Sequence, residues 1–187
     1  DPDGDWSSDV CSSDLADITA GILVSKLSET DKNVLFIDIG TNGEIVLSKA
    51  GKLSSCSCAA GPALEGMNIS CGMRAAEGAI EGIKIHKDKI SLKVIGDKNP
   101  VGICGSGILE CISEISRVGL ISKTGRIKKK EIVKESNPGL EHLIIEENGK
   151  RKIHITLGAK EIYITQKDIR QVQLAKGAIL SDRKSVV

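Results

Sequence analysis

The segment Leu35-Phe36-Ile37-Asp38-Ile39-Gly40-Thr41-Asn42-Gly43-Glu44-Ile45-Val46-Leu47 carries the residue types that a polyphosphate requires. An apolar run ends near a carboxylate, a Gly/Thr/Asn/Gly turn follows, and a second apolar run leaves. Glycine lets backbone N–H groups approach anionic oxygens closely, the threonine hydroxyl adds a donor, and Asp38 can hold hydrated Mg²⁺. The same letters also spell an ordinary hairpin, because Asn-Gly is a strong turn signal by itself. An acidic residue ending an apolar strand is what moves the reading toward phosphate chemistry.

Two more glycine-rich segments could receive an anion. Gly61-Pro62-Ala63-Leu64-Glu65-Gly66 opens a short helix with proline near its first turn, and Gly102-Ile103-Cys104-Gly105-Ser106-Gly107 opens a longer one, so each offers the N–H groups of a helix start. For Gly105, Ser106 and Gly107, close packing of helix on sheet is an equal explanation, and only their co-occurrence with the Asp38 hairpin favours the anion. Asp17 falls at the start of a first helix, either as a complement to the helix dipole or as a second acid facing the phosphates. Arg74 and Glu77, three apart, read first as a helical ion pair and second as substrate-facing groups.

Other chemistries find little support. There is no G-x-x-x-x-G-K-[ST] phosphate loop, and Gly105-Ser106-Gly107 continues as Ile108-Leu109-Glu110 rather than completing a dinucleotide fingerprint. Cys56 and Cys58 share one face of a strand, while Cys11, Cys71, Cys104 and Cys111 match no iron–sulfur or zinc spacing and read as small buried thiols. His86, His142 and His154 are isolated and lack a triad-like neighbourhood.

These groups need elements to hold them. The 187-residue chain is 40% hydrophobic and 27% charged, with a formal net charge of +1, which describes a globular protein rather than a disordered one or a broadly basic nucleic-acid binder. Aromatics are only 2%, so the core must come from Ile, Leu, Val and Ala, and little surface exists for stacking bases. No bilayer-length apolar run or secretory leader is present, and a cytoplasmic protein with free thiols is expected.

Ile18, Ile22 and Leu27 predict a first helix, and strands follow over 34–39, 43–49 and 53–60. Residues 80–95 alternate as a hairpin about Lys87-Asp88, and Ile108, Ile112 and Ile115 with Gly119 predict a helix and its stop. Residues 122–152 are rich in Lys and Glu and read as a surface excursion with a hairpin. Thr165-Gln166-Lys167-Asp168 has the shape of a capping box ahead of a last helix through Ile179. The opening DPDGDWSSDVCSSDL and closing DRKSVV resemble translated sequencing adaptor and are expected to be foreign, leaving 16–181 as the authentic segment.

DIGTNGE, CSCAAGPALEGMNISCGMRAAEGAIE, GICGSGILE and ITQKDIRQVQLAKGAI, in that order, closely resemble the C-terminal ATPase domain of the reductive activators of corrinoid proteins, over nearly all of residues 16–181. Those belong to the acetate/sugar kinase, chaperone and actin (ASKHA) superfamily. The resemblance implies an α/β, actin-like or ribonuclease-H-like ATPase domain, present in part, with a mixed sheet and flanking helices. It implies ATP and Mg²⁺ as cofactors, with Asp38 orienting the metal through water. Gly40, Thr41, Asn42 and Gly43 would hold the β- and γ-phosphates, and Glu44, Gly61, Gly105, Ser106 and Gly107 join the expected cofactor-binding set. Asp17, in ADITAGIL, matches an acidic position of the family's connecting helix, and with Asp38 forms the expected catalytic pair.

The first phosphate motif, the adenosine motif and the family's iron–sulfur domain are not found, so the chain reads as the middle of a longer protein that would bind ATP poorly alone. The parent would couple ATP hydrolysis to reduction of Co(II) to Co(I) in a corrinoid protein or corrinoid-dependent methyltransferase. A homodimer is an admissible assembly, and neither nucleic acid nor membrane is expected as a partner. The alternatives are a small-molecule kinase of the same superfamily, for which no substrate-hydroxyl base is evident, and a nucleotide-sensing module docking through 122–152.

Overall fold

The computed structural model describes residues 16–156 and 160–186, with side chains described as far as Ser181. The adaptor-like head at 1–15, including Cys11, lies outside the described residues. The chain divides into two compact units, one formed by residues up to Ala59 together with those from Ala178 onward, the other by Ala60–Gly177.

The first unit contains an antiparallel sheet of β1 (Asn33–Ile39), β2 (Asn42–Lys49) and β3 (Lys52–Ala59), in the order β1-β2-β3. Alternation in β1 turns Val34, Phe36 and Asp38 to one face. Helix α1, described over 16–24, covers that face. Ile18, Leu27 and Val46 are buried there, with Ile22, Val34 and Phe36 packed against them. Gly21 lets the helix approach, because a Cβ at that position would run into the Phe36 ring. Ala50 (φ 49) and Gly51 (φ 78) make the two-residue turn from β2 to β3 with the positive dihedrals that match strand twist.

In the second unit, Pro62–Glu65 form a 3-10 turn, and β4 (Ala79–His86), β5 (Lys89–Val94) and β6 (Gly102–Ile103) form a sheet ordered β5-β4-β6. Helix α2 (Gly105–Arg117) buries Ile108, Cys111 and Ile115 at helical spacing. It ends at Val118, and Gly119 (φ 73) supplies the left-handed residue after it. Helix α3 (Lys130–Ser136) precedes β7 (Ile144–Glu147), β8 (Lys150–Thr156) and β9 (Ile162–Thr165), an antiparallel sheet in sequence order, and α4 (Gln166–Val186) closes the chain.

Three expectations are corrected. Residues 122–152 are not a surface excursion: Ile127, Val133, Leu140, Leu143 and Ile144 all belong to the buried core of the second unit. Their apolar side chains are spaced among lysines and glutamates that stay outside, so average charge concealed a core-forming segment. Arg74 and Glu77 lie in an irregular stretch rather than a helix, and no ion pair joins them among the described residues. Asn42-Gly43 is not the central pair of the turn, since Gly43 already faces Ile39 across the ladder and both residues pair with β3, through Ala59 and Cys58. The true Asn-Gly turn is Asn148 (φ 51) and Gly149 (φ 71), between β7 and β8.

Candidate nucleotide-binding hairpin

The β1–β2 connection consists of Gly40 and Thr41, with Thr41 exposed. The Gly40 N–H donates to the Asn42 carbonyl at 2.9 Å and closes the turn. Neither Gly40 nor Gly43 has a positive φ, so neither serves a special dihedral, and Gly43 serves close approach. At Gly43 that approach is measurable: a Cβ would stand 3.0 Å from Cys58 Sγ and 3.0 Å from Ile179 Cγ1. The Cys58 thiol donates to the Gly43 carbonyl at 3.4 Å, fixing this end of the hairpin.

Directly opposite in the ladder stand Asp38 and Glu44. Two carboxylates facing one another across antiparallel strands repel, and the pairing becomes favourable when a cation joins them. Both are half-buried, and the Ser57 hydroxyl of β3 donates to Glu44 Oε1 at 3.4 Å. An all-oxygen set beside a glycine-bearing turn fits a hard, hydrated Mg²⁺ carrying phosphates better than a soft metal. Asp17 is exposed on α1, the helix packed on the Asp38 face of the sheet.

The other predicted residues belong to the second unit. Gly61 (φ 78) caps the 3-10 turn. A Cβ on Gly105 would strike the Leu64 carbonyl, and one on Gly107 the Ile80 carbonyl. The Ser106 hydroxyl donates to the Glu81 carbonyl at 3.2 Å. All three therefore seat α2 on its neighbours, and close packing accounts for the residue types without a ligand.

Sequence reasoning missed what that seating accomplishes. Strand β6, which also bridges Gly72, meets β4 at Ala79 and Ile80, and among the described residues no strand ladder continues along that edge of β4. Side chains of α2 complete it: the Ile83 N–H donates to Glu110 Oε2 (3.1 Å), the Ile85 N–H to Glu114 Oε2 (2.8 Å), and Arg117 donates to the Ile85 carbonyl (2.6 Å). Ser106, Glu110, Glu114 and Arg117 recur at three- and four-residue steps, a signal visible only once the helix face is known. The Arg117 guanidinium, and then the Ile85 N–H, hold the Glu114 carboxyl down at about 2. Burial pushes the Cys111 thiol well above its ordinary range, making it an inert core group.

Among the described residues there is no grouping of three or more His, Cys, Asp or Glu suited to a metal, and no helix is long and apolar enough to cross a membrane. Cys71, Cys104 and Cys111 are free thiols.

One mixed and two antiparallel sheets with flanking helices make an α/β domain, and the family match places it in the ASKHA class. The chain belongs to the family described as the C-terminal domain of RACo, the ASKHA domain, whose model matches residues 32–187. It is 43% identical over 88% of its length to the corrinoid activation enzyme RamQ of Eubacterium limosum. It is 28% identical over 87% to the [Co(II) methylated amine-specific corrinoid protein] reductase of Methanosarcina barkeri. Among solved structures, a reductive activator for corrinoid, iron-sulfur protein matches 90% of the chain with a TM-score of 0.79 and 38% identity. The chain spans 28% and 38% of the two curated relatives and 27% of the solved one.

Proposed function

We propose that this chain is the nucleotide-gripping part of an ATP-dependent reductive activator, whose partner is a corrinoid protein carrying cobalt in the inactive Co(II) state. The observation that carries the reading is the 43% identity to a corrinoid activation enzyme over 88% of the chain. The face-to-face carboxylates of the hairpin agree with it. In this reading residues 16–181 are part of the ATPase domain, and the segments at 1–15 and 182–187 are foreign to it.

Gly40, Thr41, Asn42 and Gly43 would surround the β- and γ-phosphates, the exposed Thr41 hydroxyl and the hairpin N–H groups donating to their oxygens. Asp38 would orient Mg²⁺ through its water ligands, with Glu44 across the ladder as the second acid. The metal supplies neutralisation of developing phosphate charge. Asp17 would hold or orient the attacking water. Hydrolysis of ATP to ADP and phosphate would shift the complex with the corrinoid protein toward its transfer-competent arrangement. One electron then converts Co(II) to Co(I). Its donor would be an iron–sulfur cluster held by another part of the parent protein in the cytoplasm.

The decisive substitution is Asp38→Ala, made in a protein carrying the whole ATPase domain. Mg²⁺-ATP hydrolysis should fall by about 10²–10³-fold, the range for losing one preorganised electrostatic group. Formation of Co(I), followed by visible absorption, should fall with it while circular dichroism stays constant. Hydrolysis at the parent rate would remove Asp38 from the site and the hairpin from the mechanism.

A further inference from the structure

Within the second unit, a cleft of about 770 Å³ opens between the β7–β8 hairpin, the 122–127 loop and the start of α4. None of the β1–β2 hairpin residues lines it. Its volume falls in the range of small-molecule sites, roughly 300–1,000 Å³. The charge on its walls is one-sided: Arg126, Lys150, Arg151, Lys152 and Lys167 line it, against the single carboxylate of Glu147.

Two of these cations are mostly covered and, as neighbours in β8, leave on opposite faces of the sheet. The Arg151 and Lys152 side chains are only 18% and 17% exposed. Arg151 is braced by the Ile127 carbonyl (2.6 Å), and its nearest carboxylate, Glu146, stands 3.9 Å away. Lys152 lies 3.2 Å from Glu147 and 3.5 Å from Glu161, with its ammonium 4.8 Å from the centre of the Tyr163 ring. Glu147 holds that ammonium above its ordinary range, so it remains charged at neutral pH.

Lys167 adds a cation in the first turn of the 21-residue α4, at the end where the helix dipole is already positive. Asp168 keeps its charge but does not line the cleft: Oδ1 accepts the Ser70 N–H (2.9 Å) and hydroxyl (3.1 Å), and Oδ2 accepts the Thr165 N–H (2.8 Å) and hydroxyl (2.8 Å). Cations gathered at a helix N-terminus repel one another and the dipole. An anion in the cleft relieves both.

We propose that this cleft binds a phosphate-bearing small molecule through its basic walls, with the organic part beside Tyr163. The exposed Lys150 and Lys167 steer the anion inward. A small molecule suits a concave cleft of this volume better than an acidic protein face does, because Arg151 and Lys152 are mostly covered. The site stands on the second unit alone and does not depend on the reading of Asp38.

Tyr163 is the chain's sole tyrosine, so labelling with 3-fluorotyrosine yields one ¹⁹F resonance reporting from the cleft. Titrating the labelled chain with sodium pyrophosphate, and separately with ADP, should move that resonance along a saturable curve in the millimolar range or tighter. Tighter binding of ADP would assign the organic part to Tyr163, and equal binding would overturn that half of the proposal. The double reversal Lys150→Glu with Lys167→Glu alters two exposed side chains and should weaken pyrophosphate by at least about tenfold, equal to 1.4 kcal/mol. A resonance that stays still, that moves equally with sodium chloride at matched ionic strength, or that responds more strongly to a polyglutamate peptide would overturn the assignment. So would unweakened binding by a double variant whose circular dichroism is unchanged.

Discussion

Gly107 is placed where a methyl group would collide with the Ile80 carbonyl, a backbone atom held in its own strand. Gly107→Ala must therefore push α2 off β4, and we expect a loss of roughly 1–3 kcal/mol, toward the upper end because the obstacle is backbone. Urea denaturation of the variant measures it, and a loss near zero would show that the helix start yields freely. Glu114 is buried and has a different signature. Its carboxyl titrates at about 2 when folded against an ordinary 4.5, so its contribution is whole above 4.5 and disappears as the pH falls toward 2. Glu114→Gln should flatten the acid side of the stability profile in that window while leaving the slope above it unchanged. If the two proteins lose stability in parallel from 4.5 downward, the Arg117–Glu114–Ile85 linkage is not what holds that edge. Neither role was legible in the sequence. Glycine types showed that something comes close to α2, but not that it is a carbonyl, and a glutamate in a helix ordinarily points to water.

At the scale of elements, the local signals were the reliable ones. The capping box at Thr165 is formed as its letters indicate: the Thr165 N–H donates to Asp168 Oδ2 at 2.8 Å and the Asp168 N–H returns to Thr165 Oγ1 at 3.2 Å. Less visible is that Asp168 also receives Ser70, nearly a hundred positions earlier in the chain, so one side chain starts α4 and pins the 66–72 loop. Asp168→Ala removes the side-chain half of the capping box and leaves the donors of Ser70 and Thr165 without their acceptor. It should cost about 2 kcal/mol, the top of the range for a lost cap. Asp168→Asn, which keeps an acceptor, should recover part of that in the same denaturation assay. The hairpins of β1–β2 and β4–β5 were legible because alternation is a two-residue rule. The 122–152 segment was not, because Val133 and Leu143 are single apolar residues that join the core of the second unit, while the intervening lysines dominate any local average.

At the scale of the molecule, the two units are unequal in what holds them. The core of the second runs continuously from Ala63 to Val172 across both its sheets, α2 and α4, whereas α1 and its sheet share a small cluster of Ile18, Leu27 and Val46. Strand β1 in addition leaves Leu35, Ile37 and Ile39 between 40% and 51% exposed. Burial of apolar area sets how much free energy opening requires, so the first unit should open at lower free energy than the second. Hydrogen exchange followed by mass spectrometry tests this directly, the amides of Phe36 and Val46 exchanging before those of Ile83 and Ile153. Equal protection throughout would mean that the two cores open as one. The inequality bears on function, because a unit that opens at low free energy is the one a ligand can most visibly tighten. In a protein carrying the whole ATPase domain, Mg²⁺-ATP at a hundred times its dissociation constant should add about 2.7 kcal/mol of protection, concentrated in β1–β3. Pyrophosphate at the basic cleft should act instead on β7–β9, so the pattern of protection, more than its size, assigns each anion to its unit.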